Sequence, residues 1–177
     1  TLGVSIRENM SYADGFFVND KSHQMGIIQK IRQYQPDIVL CNAVDDRHID
    51  HAKGSALVSD ACFLSGLGKI ETKLDGDIQE PWRPKVVYHF IQWKNLEPDF
   101  VVDVSGYIEK KHEAILAYSS QFFDHNSGEP ETPISSKNFL DSVSYRARDL
   151  GRLIGVTHAE GFTVERFPGV DSLDDLI

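Results

Sequence analysis

Ile38-Val39-Leu40-Cys41-Asn42-Ala43-Val44-Asp45-Asp46-Arg47-His48-Ile49-Asp50-His51 is the stretch whose reading decides the fold. Its first four residues form a short continuous apolar run, the mark of a strand buried on both faces. A polar loop follows. From Ala52 to Leu67 the chain is rich in small residues and helical in pattern. Upstream, Ser22 to Tyr34 reads as a helix, because Met25, Ile28 and Ile31 recur at helical spacing and Ile27 and Tyr34 widen the face. Pro36 stops it. Helix, buried strand, loop and helix in succession imply an α/β layered fold with a mainly parallel sheet. Ligands in such folds sit beyond the carboxyl ends of the strands, so the loop Asp45–His51 is the first place to look for chemistry.

Five of those seven residues are acids or histidines. His48 and His51 lie three apart and share a face if the helix begins here. Neutral imidazole is a preferred zinc ligand, and Asp50 stands beside both rings to fix a tautomer. Arg47 offers a fixed charge for a carboxylate or an anionic intermediate. The spacing is not that of His-Glu-x-x-His metalloproteases. From spacing alone two readings stay open: a metal site, or an acidic helix start that is simply capped. Arg47 likewise either meets substrate or pairs with Asp45 or Asp46.

Outward from this centre, Ser5 to Asn9 reads as a short strand and Tyr12-Ala13-Asp14-Gly15 as a turn. Gly66 to Pro84 reads as a connector. Lys85 to Trp93 and Phe100 to Val104 are further strands. Gly106 to Gln121 is an amphipathic helix, and Phe122 to Ser136 a loop long enough to suggest function or mobility. Ser136 to Ile154 is a long helix, Thr157 to Phe162 a last strand or turn, and the acidic tail to Ile177 a loop. Gly66-Leu67-Gly68 is too short a pattern for phosphate and precedes no clear helix.

The chain has 177 residues, 41% of them hydrophobic and 25% charged, which fits one globular domain over residues 1–177. The formal net charge of -9, with scattered Lys and Arg, argues against a nucleic-acid partner. No apolar run is long enough to span a bilayer. Cys41 and Cys62 are too few for a disulfide framework and read as buried thiols, which points to a cytoplasmic protein.

Arg47-His48-Ile49-Asp50-His51 resembles the Arg-His-Pro-Asp-His signature of LmbE-like (PIG-L) zinc-dependent deacetylases. Tyr34-Gln35-Pro36-Asp37-Ile38-Val39 and Tyr12-Ala13-Asp14-Gly15 are similar to that family's strand entry and Leu-Pro-Asp-Gly turn. Pro98-Asp99-Phe100-Val101-Val102-Asp103-Val104, Lys110-Lys111, Tyr118-Ser119-Ser120-Gln121-Phe122 and Gly155-Val156-Thr157-His158-Ala159-Glu160-Gly161-Phe162 resemble its bacillithiol-biosynthesis branch. The resemblance implies a Rossmann-like sheet, Zn2+ as cofactor, and hydrolysis of the N-acetyl group of a small N-acetylglucosamine conjugate, N-acetylglucosaminyl-malate above all. It implies His51 as a zinc ligand, His48 as donor to the oxyanion or acid, Asp50 as the residue orienting His48, and Arg47 and His158 as substrate contacts. By the same analogy a homo-oligomer, a hexamer, is expected. Two departures stand out. Ile49 replaces the usual Pro, and the family's Ala-His-Pro-Asp-Asp signature, with two more ligands and the general base, is nowhere in the sequence. The resemblance therefore leads us to expect an N-terminally incomplete domain, lacking its first strand-helix-strand unit and inactive by itself, or else a metal-free relative.

Overall fold

The computed structural model describes residues 2–118, 121–122, 130 and 132–176. They fall into two compact units. The larger holds Met10–Asp99 and Phe162–Ile177, and the smaller holds the first nine residues and Phe100–Gly161.

In the larger unit, helix α1 (Lys21–Tyr34) starts where Asp20 accepts a hydrogen bond from the His23 N–H, and ends where Gln35 turns left-handed (φ 47) and donates to the Ile31 carbonyl. Strand β1 (Ile38–Cys41) follows, then α2 (Ile49–Ser65). Ile28 and Ile31 of α1 pack on Ala61 and Cys62 of α2, and Val39, Val58, Trp82 and Val87 close over them. Removing these side chains from water is the main stabilising term of the unit. Arg32 is buried beneath α2 and donates to the carbonyls of Ser65, Leu67 and Ile70 and to Thr72 Oγ1. It thereby satisfies the Ser65 carbonyl, which the helix end leaves without an intrahelical partner, and ties down the connector that follows at Leu67 and Ile70.

Strand β4 (Val86–Phe90) pairs with β1 in parallel, from Ile38 opposite Val86 to Cys41 opposite His89. On its other side β4 pairs antiparallel with β6 (Ala159–Val164), through Phe162, Thr163 and Val164. The sheet is therefore mixed and flanked by helices, an α/β fold rather than an all-parallel one. The β1 apolar run is not buried on both faces. Ile38 and Leu40 are each 57% exposed, while Cys41 is 4% exposed. The reason lies in the order of strands, since β1 has β4 as its strand neighbour and one face covered by α1 and α2.

The Gly66 to Pro84 connector carries a small hairpin, β2 (Lys73–Leu74) against β3 (Asp77–Ile78). Asp75 and Gly76 turn it with positive φ angles of 53 and 98. Asp-Gly is a strong short-range hairpin signal, and the sequence reading passes over it. Gly66 caps the end of α2 rather than opening a helix, which removes the phosphate reading of Gly66-Leu67-Gly68.

In the smaller unit, β5 (Phe100–Asp103) lies beside the first residues of β6, and Val104 N–H donates to the His158 carbonyl. Helix α3 (Ile108–Leu116) is shorter than the predicted Gly106–Gln121 segment. Ser136 caps α4 (Lys137–Leu153). Gly151 lets α4 approach the chain at Val156–His158, where a Cβ would come within 2.8 Å of the Val156 carbonyl oxygen. Ser5 to Asn9 belongs to neither sheet, because Val4 and Ile6, at 70% and 56% exposure, give it no buried face to align. Residues 119, 120, 123–129 and 131, hence most of the long loop and part of the Tyr118-Ser119-Ser120-Gln121-Phe122 motif, lie outside the described residues. Among the described residues no helix is long and apolar enough to cross a membrane.

Candidate active site

The segment Asn42–His48 leaves the carboxyl end of β1 and enters α2 in the larger unit. Helix α2 begins three residues earlier than the sequence pattern suggests, at Ile49, so His48 is its N-cap. The His48 ring performs the capping itself, with Nδ1 accepting from the Asp50 N–H at 3.2 Å. A ring nitrogen that accepts a hydrogen bond carries no proton. In the neutral ring the proton is then on Nε2, which is left as a donor on an exposed side chain.

His51 is one turn further on, and its ring lies 5.3 Å from that of His48, tilted by 33°. Its partner is Asp46, whose Oδ2 is 2.5 Å from Nδ1. A carboxylate only accepts, so the His51 proton is on Nδ1 and its Nε2 presents a lone pair. The nearest neighbour of that Nε2 is the Gln92 amide nitrogen at 3.5 Å. Gln92 Oε1 is engaged by Asn42 Nδ2 and the Ala43 N–H, which turns the NH2 donor toward His51. Two adjacent imidazoles are thus held in opposite tautomers by separate partners.

Asp46 has a fully buried side chain, and His51 is 31% exposed. Burial works against the Asp46 charge, but the His51 ring and the N–H groups of Lys94, Arg47 and Trp93 outweigh it, leaving the carboxyl below its ordinary range. Asp45 pairs with Lys94 Nζ at 2.7 Å. Arg47 therefore has neither acid as a partner. It lies over the Trp93 ring, 5.0 Å from the centroid, is exposed, and has no carboxylate partner among the described residues.

Asp50 reaches His48 through its backbone. Its carboxylate instead accepts from the Gly15 N–H at 2.5 Å and from Lys53 Nζ at 3.2 Å. Burial opposes the Asp50 charge, and Gly15, Lys53 and His48 together hold its carboxyl below the ordinary range. These bonds pin the turn at Ala13–Phe17 to the start of α2, and Lys53 also binds the Gly15 carbonyl. Asp14, His48 and Asp50 offer ligand atoms within 4.8 Å of one another. An exposed acidic cluster at a helix start, with an ammonium already on one of its carboxylates, does not by itself make a cation site.

No family model matches the chain. Among solved structures, it is similar to a conserved protein from Thermus thermophilus, with a TM-score of 0.80 and 27% identity over 97% of this chain and 70% of that one. An N,N'-diacetylchitobiose deacetylase from Pyrococcus horikoshii, solved with an inhibitor, superposes with a TM-score of 0.65 and 21% identity, over 94% of this chain and 60% of that one. The fold is deacetylase-like. It is not restricted to deacetylases, because 4-carboxy-2-hydroxymuconate hydratase from Pseudomonas putida also matches, at a TM-score of 0.61 and 20% identity, over 87% of this chain and 62% of that one. The chain thus spans under two thirds of the length of these two enzymes, and fold alone does not choose between their chemistries.

In this deacetylase-like fold the donor chemistry of His51 suits a borderline-soft divalent ion. Its Nε2 lone pair is met only at 3.5 Å by the Gln92 amide, which a cation would displace, and a buried carboxylate holds the opposite nitrogen, as is usual for metal-bound histidine. The structure brings Arg47, His48, Asp50 and His51 together. His158 lies in the smaller unit, exposed, with its N–H on Ser105 Oγ at 3.2 Å and its ring Nδ1 3.1 Å from Thr157 Oγ1. The sequence reading offers Asp46 only as an alternative partner of Arg47, and gives no role to Gln92 or Trp93. Asp46 is one acid among several in the loop, and its partner Trp93 stands 47 positions on, so only the β1–β4 pairing reveals it.

A second histidine is arranged quite differently. His89, on β4, is 3% exposed. Its Nδ1 meets Ser55 Oγ at 2.8 Å, the Asn42 carbonyl at 3.0 Å and Cys41 Sγ at 3.1 Å, and its Nε2 meets Glu165 Oε1 at 3.1 Å. Burial pushes the thiols of Cys41 and Cys62 up to about 12.

Proposed function

We propose that the protein is a zinc-dependent hydrolase that removes the N-acetyl group from an N-acetylglucosamine conjugate, with N-acetylglucosaminyl-malate as the substrate. The observation that carries this reading is the pair of opposite tautomers at His48 and His51. Amide hydrolysis at a metal can use the two side by side: a lone pair to hold the ion and an N–H to meet the acyl oxygen as charge develops. The deacetylase-like fold supports the same chemistry.

His51 would hold zinc through Nε2. Bound zinc supplies a Lewis acid for the carbonyl and water of lowered pKa. His48 Nε2–H donates to the carbonyl oxygen, and Asp50 keeps that ring in place through its backbone N–H. Asp50 and Lys53 fix the neighbouring turn and so shape the rim. Arg47, free of Asp45 and Asp46 and supported by the Trp93 ring, is available to a carboxylate of the conjugate. His158 is a further proposed substrate contact. We propose a homo-oligomeric assembly on the family resemblance alone, and a cytoplasmic location from the two free, buried thiols.

Acetate release by the full-length protein, with zinc present, tests the reading. The malate conjugate should be cleaved at least about tenfold faster than N-acetylglucosamine or diacetylchitobiose, the discrimination expected of one well-placed charged contact. Equal turnover of all three would remove the malate assignment. Cleavage of none would remove the deacetylase itself.

A further inference from the structure

Asp46 is the one buried carboxylate among the described residues. Burying an acid is costly unless it is fully paired, yet no Lys or Arg side chain among the described residues reaches it. Lys94 Nζ is on Asp45, and Arg47 is on the Trp93 ring. Its oxygens are met by the N–H groups of Trp93, at 3.1 and 3.3 Å, and Lys94, at 2.9 Å, and by the His51 ring. Neutral peptide N–H groups, those of Trp93, Lys94 and Arg47, could also be met by an uncharged acceptor such as Asn, which would carry no charge into the interior. The remaining partner, the imidazole, is the one that gains from a full negative charge.

We propose that Asp46 is a positioning residue that holds the His51 ring with its proton on Nδ1 and its lone pair on Nε2, so that divalent metal affinity depends on the charge at residue 46. This rests on the metal-binding role given to His51 above. Three features of the geometry make Asp46 suited to it. The Trp93 and Lys94 donors come from the segment after β4, so the carboxylate is clamped in part from a different element than the ring it serves. Asp46 and His51 lie on either side of the α2 start, so their contact ties the loop to the first turn of the helix. Finally, a carboxylate facing Nδ1 increases electron density at Nε2 and strengthens its bond to a cation.

The test is zinc affinity, measured by competition with a chromophoric chelator on full-length wild type, D46N and D46S, beside thermal unfolding of each. If Asp46 acts through His51, D46N binds zinc about 10- to 100-fold more weakly than wild type while remaining folded. If Asp46 is merely structural, D46N melts earlier but, once folded, binds zinc as tightly as wild type, and the proposal is overturned. Should neither variant fold, the metal-free wild type decides. A slowly exchanging downfield Nδ1 proton on His51 supports the proposal, and a proton on Nε2 overturns it. Acetate release is not needed for any of these readouts. Loss of zinc binding in wild type would instead count against the proposed function.

Discussion

His51 and His89 sit in the same unit, each against an acid, and they differ in what is left over. His51, with a side chain 31% exposed, has one nitrogen fixed by Asp46 and the other met only at 3.5 Å by the Gln92 amide. His89 has both nitrogens engaged, by Ser55, Cys41 and the Asn42 carbonyl on one side and Glu165 on the other, in a nearly sealed interior. A serine, a histidine and an acid in line would suggest a nucleophilic triad at His89. Its serine is 3% exposed and its thiol neighbour 4% exposed, so no substrate reaches either. A reactive histidine is therefore recognised by the nitrogen its surroundings leave available, while proximity to an acid is common to both kinds.

Substituting each ring is the strongest way to break this contrast. H51A should abolish zinc binding and acetate release, with a stability cost of about 1 to 3 kcal/mol from the Asp46 oxygen it leaves unpaired. H89A should lower stability by about 3 kcal/mol, through the cavity and the orphaned Ser55 and Asn42 groups, as read by urea unfolding. A reversal of the two phenotypes would show that the roles are misassigned. H48A comes next. Losing a donor to the developing oxyanion should reduce kcat on the order of 100- to 1000-fold while zinc still binds, and a kcat within a factor of a few of wild type would leave His48 as a cap only.

Smaller effects sharpen the picture. R47A should raise KM about tenfold for the malate conjugate and little for neutral N-acetyl sugars. A uniform loss on all substrates would point to damage of the Trp93 stack instead. The cysteines probe the sealed region. Raised pKa values keep both thiols protonated across the ordinary range, so native alkylation should stay slow and nearly flat from about pH 7 to 9, where an exposed thiol accelerates. Rapid native labelling would mean that the region around His89 opens. The least change is expected for E165Q, because Glu165 is 41% exposed and the amide oxygen still accepts from Nε2. Its cost should stay under about 1 kcal/mol.

What could be read directly from the sequence was local. The β1 strand, both flanking helices and the grouping of His48, Asp50 and His51 follow from periodicity and from residues within one turn of each other. The sheet's mixed direction did not follow, since β6 joins β4 from far along the chain and nothing in Ala159–Val164 declares its sense. The exposure of Ile38 and Leu40 did not follow either, because an apolar run does not say which face is covered. The tautomers depend on Asp46 being clamped by Trp93 and Lys94, a tertiary fact invisible in the loop itself. The Asp75-Gly76 hairpin is the opposite case, where the signal was present locally.

Two neighbouring imidazoles that carry their protons on opposite nitrogens are the centre of the proposed chemistry. Nitrogen-15 spectra of histidine-labelled, metal-free protein report those protons directly. The expected result is His51 protonated on Nδ1, His48 protonated on Nε2, and zinc shifting the His51 Nε2 signal first. A single shared tautomer for the two rings, or zinc acting first on His48, would contradict it.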